Sequence, residues 1–181
     1  MRAVLRGARC LPGLLLLLLL AACVPNSAGP HPAPSSSAVG TARCADGDVE
    51  LDVLSLGWAF CHPRDWSIVQ RNIPTQAPVG VDTTLDVVAG DGFFGFIIVG
   101  SYERGSAVTL ADWLAANAPG DAKTTPIAWG NARESAQVDG QLKRYALTDH
   151  RVYALTLREG AGNLDLDAAL KPRLGSWSFI T

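Results

Sequence analysis

A run of seven leucines, Leu14 to Leu20, follows Arg2, Arg6 and Arg9 and leads into Ala21-Ala22-Cys23. This feature constrains the chain more than any other, because a basic, apolar, small-residue order is that of a secretory signal and takes no part in the final fold. A transmembrane reading fits poorly. The apolar stretch from Leu11 to Ala22 is interrupted by Pro12 and Gly13 and is shorter than the roughly 20 residues a bilayer core requires. The 181 residues therefore hold a signal segment at 1–22 and room for one ordinary domain. The leucine run also inflates the 48% hydrophobic content. Without the three leading arginines, 12 basic residues face 17 acidic ones, a net of −5. That balance repels a phosphate backbone, so nucleic acid is not expected as a partner.

The four residues Leu20-Ala21-Ala22-Cys23 resemble the lipobox of bacterial lipoproteins. The resemblance implies cleavage before Cys23 and acylation of its thiol by palmitate-type chains, which makes membrane lipid the first expected partner. Each buried CH₂ contributes ~0.8 kcal/mol, and two or more chains make attachment durable. Val24 stands where an aspartate would favour inner-membrane retention, so the outer membrane or outer surface is the expected location.

Residues 23–41 read as a lipidated tether. The stretch VPNSAGPHPAPSSSAVGT has no hydrophobic period and cannot bury enough apolar surface to offset its ordering entropy. Its prolines stiffen it toward polyproline II, with an extended reach of up to ~50 Å. The folded domain is expected at 42–181. Of four cysteines, Cys10 leaves with the signal and Cys23 takes lipid, which leaves Cys44 and Cys61 to form a disulfide in an oxidising compartment.

Within the domain, alternation predicts strands at Val49–Val53, Trp58–Cys61 and Trp66–Val69, then a proline-rich loop from Asn72 to Val79. Thr84–Ala89 and Phe93–Val99 flank Asp91-Gly92 as a hairpin. Leu110–Asn117 is the clearest helix: Thr109 caps it, Asp112 completes a capping box, and Val108 and Trp113 are spaced as a hydrophobic staple. Further strands are expected at Ile127–Trp129, Ala132–Val138, Leu142–Leu147 and Val152–Leu157. An amphipathic stretch, Leu164–Leu174, should be kinked or split by Pro172 before a last strand through Trp177 and Phe179. The fold class these pieces predict is α+β.

Three segments carry a further resemblance: Trp58-Ala59-Phe60-Cys61-His62-Pro63-Arg64-Asp65-Trp66, the helix start Thr109 to Leu114, and the hairpin Gln141–Leu147 with Arg151–Leu157 before Ser176-Trp177-Ser178-Phe179. Their order resembles the PsbP-type superfamily, which includes DcrB-like and LpqN-like bacterial lipoproteins. The resemblance implies an antiparallel sheet flanked by helices, an α/β/α sandwich. It also implies a non-enzymatic docking, assembly or envelope accessory role with an envelope protein as partner, and it transfers no site residue.

Motifs with a chemical reading are weak. Gly90-Asp91-Gly92-Phe93-Phe94-Gly95 fits G-x-G-x-x-G, but Phe96-Ile97-Ile98-Val99 continues as strand where a dinucleotide site needs a helix, so a tight hairpin is expected. Asp46, Asp48 and Glu50 hint at calcium, yet Leu51 and Gly57 replace the glycine and glutamate that an EF-hand needs. Ser55 lacks the preceding glycine of a nucleophile elbow, and only His62 and His150 are available in the domain as bases. No catalytic, cofactor-binding or metal-binding residue is nominated, and no cofactor is expected. Phe93, Phe94 and Phe96 read as core rather than as an exposed binding patch. The function expected is a non-catalytic, lipid-anchored binding, docking or assembly module of the cell envelope. A carrier of a small apolar or peptidoglycan-derived ligand is the alternative, with an envelope hydrolase behind it.

Overall fold

The computed structural model describes residues 44–180, the side chain of Asp91 apart, so the signal segment, Cys23 and the tether lie outside the described residues. The strands are β1 (Asp48–Val53), β2 (Trp58–Pro63), β3 (Ser67–Thr75), β4 (Gly80–Ala89) and β5 (Phe93–Glu103), followed by β6 (Thr124–Pro126), β7 (Glu134–Val138), β8 (Lys143–Leu147), β9 (Arg151–Ala161) and β10 (Ser178–Phe179). Two helices, α1 (Leu110–Asn117) and α2 (Leu166–Leu170), complete the regular structure with short 3₁₀ turns.

The strands form two antiparallel sheets: a small one ordered β1-β2-β10 and a large one ordered β3-β4-β5-β9-β8-β7-β6. This corrects the expected α+β class and its α/β/α sandwich. Among the described residues strand is the main regular structure, and the two sheets pack face to face, closer to a β-sandwich. The physical reason lies in helix length. With eight and five residues, α1 and α2 are too short to form covering layers. The layer expected of helices is supplied instead by Trp58 and Phe60 of β2 and Phe179 of β10.

Alternation builds this interior. Leu85 and Val87 of β4, Phe93, Ile97 and Val99 of β5, and Tyr153, Leu155 and Leu157 of β9 all face the small sheet. Aromatic rings fill the gap. Phe60 stacks on Trp177 at 4.5 Å, and Trp129 meets Trp177 edge-on at 5.1 Å. After β9 the chain crosses this inner side through α2 and a 3₁₀ turn at Lys171–Ser176, where Pro172 splits the stretch as expected. The guanidinium of Arg144, buried on β8, pairs there with Asp167 of α2.

The opposite face of the large sheet is treated differently. Because β5 and β6 lie four strands apart in the sheet order, their connection must pass over β9, β8 and β7, and α1 is that crossover. Its apolar stripe, Leu110, Trp113 and Leu114, covers Ala136, Tyr145, Leu147, Val152 and Ala154. The capping box forms as the sequence predicts: Thr109 and Asp112 exchange hydrogen bonds of 3.1 Å in both directions. Val108 is exposed, so the expected staple is absent.

Two further expectations change. Asn72 to Thr75 continue β3 instead of forming a loop, leaving residues 76–79 to turn the chain, with a cis Ala77–Pro78 bond. Ile127–Trp129 is not a strand; the pairing falls at Thr124–Pro126, and Trp129 enters the core from a turn. The disulfide joins Cys44 to Cys61 of β2 as expected, with an S–S distance of 2.07 Å.

Candidate functional site

Since α1 covers only part of its face, the portion formed by β3, β4 and the adjoining length of β5 has no layer above it among the described residues. Register places its side chains in cross-strand rows. Ser67, Val88 and Phe94 form one row, then Val69, Asp86 and Phe96, then Arg71, Thr84 and Ile98. Ile73 and Asp82 follow opposite Gly100. Val69 is 59% exposed, Ile73 56%, Val88 48% and Phe94 37%. A solvated face of an antiparallel sheet ordinarily carries polar residues, so a run of aliphatic and aromatic side chains there marks a surface suited to contact.

Strand alternation explains how this patch arises. Phe93 turns inward and is 2% exposed, whereas Phe94 and Phe96 turn outward and pack edge to face at 4.8 Å. The expectation that all three phenylalanines belong to the core is thus corrected for Phe94 and Phe96. Polar groups divide the apolar rows. The Arg71 guanidinium donates to Asp86 at 2.7 Å, and Arg158 of β9 stands in register with Phe96. An exposed ion pair of this kind adds only about 0–1 kcal/mol to stability, so its main effect is to cancel charge between two neighbouring rows.

Toward α1 the patch ends at a polar border. The Tyr102 hydroxyl donates to Asp82 at 2.6 Å, and its ring stacks on Trp113 at 5.6 Å. Burial and then the Asp82 carboxylate raise the phenol well above its ordinary value. Asp121 accepts from Lys143 at 2.5 Å and from Tyr145 at 2.6 Å. Burial raises its carboxyl, but the bonds from Lys143 and Tyr145 outweigh it and hold the group below the usual range. These hydroxyl, carboxylate and ammonium groups satisfy one another, which makes the border a structural clamp between sheet and crossover.

Grooves lie elsewhere on the domain. The most apolar, about 490 Å³, runs between α1 and β6–β7 past Leu110, Leu114, Ile127 and Ala136. Its polar groups are already engaged: Glu134 accepts the Leu110 backbone N–H at 2.8 Å, and Ser135 donates to the Ile127 carbonyl at 2.8 Å. A second, of about 410 Å³, lies between residues 103–108 and the end of α1, and a third, of about 290 Å³, beside Trp66. None contains His62 or His150.

His62 is buried against Trp66, with its Nδ1 at 2.8 Å from the Pro63 carbonyl oxygen. His150 sits in the exposed turn before β9, where its backbone N–H reaches Thr148. The structure brings neither into a triad with a hydroxyl and a carboxylate. Asp48, one of the three acidic residues weighed for calcium, is drawn away to a two-pronged ion pair with Arg173 at 2.8 and 2.9 Å. Among the described residues no three His, Cys, Asp or Glu side chains are grouped to hold a metal. Gly90–Gly92 forms a 3₁₀ turn with Gly92 at φ 74°, and β5 follows directly, which removes the helix a pyrophosphate would need.

Sequence reasoning missed Val69, Ile73 and Val88. The signal was present in the alternation Val69-x-Arg71-x-Ile73, but Pro74 and Pro78 made the segment look like loop. Comparison with protein-family models, curated proteins and solved structures returned no match to this chain.

Proposed function

We propose that this chain is a lipid-anchored protein of the cell envelope, held through acylated Cys23 at the outer membrane or outer surface, whose domain docks a protein partner without catalysis. The observation that carries the docking reading is the open face of β3, β4 and β5, where Val69, Ile73, Val88 and Phe94 stand exposed in register. A rigid antiparallel sheet holds these side chains in place, so a partner meets a preformed surface and little ordering entropy opposes binding. Phe94 and Phe96 supply the aromatic component that anchors protein interfaces, and Arg158 beside them supplies a cation for a partner's carboxylate. The carrier alternative has less support, because the 490 Å³ groove is walled by Leu110, Leu114 and Ala136, which already pack against one another.

Two measurements test this. A Cys23→Ser chain should leave the membrane fraction and appear in the soluble envelope or medium; retention in the membrane would refute the anchor. A photoreactive residue at position 94 should crosslink a discrete envelope protein that the same residue at Ser106 does not, and Val88→Asp should abolish that product. Equal labelling from both positions would refute the docking face.

A further inference from the structure

We infer that β3 is a self-association edge, and that two copies of this chain join β3 to β3 across a two-fold axis centred on Arg71. Among the described residues β3 ends the large sheet and pairs only with β4, and it runs for nine residues. From Val69 to Pro74 every residue is exposed. A long exposed edge bearing aliphatic side chains is a template for another strand.

The sequence of β3 selects a second copy as that strand. In an antiparallel pairing centred on Arg71, Val69 of one copy faces Ile73 of the other, and this apolar match occurs twice. On the opposite face Gln70 faces Asn72, amide against amide. Moving the centre by one residue to Gln70 or Asn72 sets Arg71 against Val69 or Ile73 and loses both matches. At the centre the two Arg71 side chains meet, but each already bonds its own Asp86 at 2.7 Å. The two guanidinium groups of the central row and the two Asp86 carboxylates of the rows beside it then carry no net charge together. Pro74 has no N–H to donate, so it ends the ladder just beyond the matched segment.

The symmetry agrees with attachment to one membrane, an argument that rests on the lipid-anchor reading proposed above. A two-fold axis relating paired edge strands of one continuous sheet runs perpendicular to that sheet. Both small sheets then lie on the same side. Cys61 alternates away from Phe60, which faces the core, so the disulfide places Cys44 on the outer side of the small sheet. The first described residue, Cys44, therefore lies on the same side in both copies, while the two apolar faces join into one on the other side.

The test uses the full chain with its own signal in intact cells. Residues facing each other across an antiparallel pair have Cα atoms about 4.5–5.5 Å apart, within disulfide reach. Arg71→Cys should therefore give a covalent homodimer on a non-reducing gel, about tenfold above an exposed Ser106→Cys control, and Ile73→Lys in the same background should remove it. Dimer no greater than in the control, or dimer indifferent to Ile73→Lys, overturns the proposal. Should Arg71→Cys not accumulate, sedimentation of the detergent-solubilised wild-type chain decides: two copies per particle support the pairing and one copy overturns it. Cys23→Ser separates the readings, since a released chain that still crosslinks keeps the dimer, and an unreleased one removes only the anchor.

Discussion

Asp48 illustrates how a single carboxylate ties distant parts of the domain together. It lies on β1, and its oxygens accept two bonds from Arg173, 125 residues away in the turn after α2. The hydrogen bond from Arg173 holds the carboxyl below its ordinary value of 3.8. A carboxyl depressed on folding contributes stability that is fully present above its unfolded pKa and lost as pH falls through the folded one. Asp48→Asn should therefore cost about 2 kcal/mol at about pH 7, the range for hydrogen bonds to charged groups, and progressively less below about pH 4. Urea unfolding of both proteins across that range checks the sign; a cost that grows in acid would contradict it. Gly100 makes the corresponding point for close approach. The Tyr102 ring and hydroxyl lie over it, and a Cβ there would collide with them. Gly100→Ala should displace the ring from Trp113 and Asp82 and cost about 2 kcal/mol through overpacking, read by thermal unfolding together with loss of near-ultraviolet aromatic dichroism.

At the scale of elements, α1 determines which part of the large sheet is covered. Three groups hold its first turn: the Thr109 hydroxyl, the Asp112 carboxylate, and Glu134 of β7, which accepts from Leu110. Thr109→Ala should lower stability by about 1 kcal/mol, and amide exchange should quicken in α1 and in the strands beneath it. If exchange changed in α1 alone, the helix would be an appendage and not part of the core around Leu147 and Val152. This element was legible in advance, because the caps and the Leu110-Trp113-Leu114 stripe are local signals. β3 was not. Pro74 suggests a loop to any local reading, yet pairing with Val81 of β4 keeps it in a strand, since an edge position makes no demand for its missing N–H.

For the whole molecule, the Cys44–Cys61 bond closes a span of 17 residues and pins the start of the domain to the middle of the small sheet. A double Cys44→Ala, Cys61→Ala chain should lose roughly 3 kcal/mol on the chain-entropy account. Chemical denaturation would show it as a lower midpoint, and an unchanged midpoint would mean the span is ordered without the bond.

Local order along the chain was enough to specify the basic and leucine-rich start, the Cys44–Cys61 pair, the capped helix and most strand positions, because caps, turns and alternation each act within a few residues. Layering was not local. Whether helices or a second sheet cover β4, β5 and β9 depends on which distant segment supplies enough apolar surface, and the aromatic rings of β2 and β10 together with Trp177 do so better than two helices of eight and five residues. The same cause exposes Phe94 while burying Phe93. Alternation assigns the two side chains to opposite faces, but only the path of the crossover through α1 decides which face is left open.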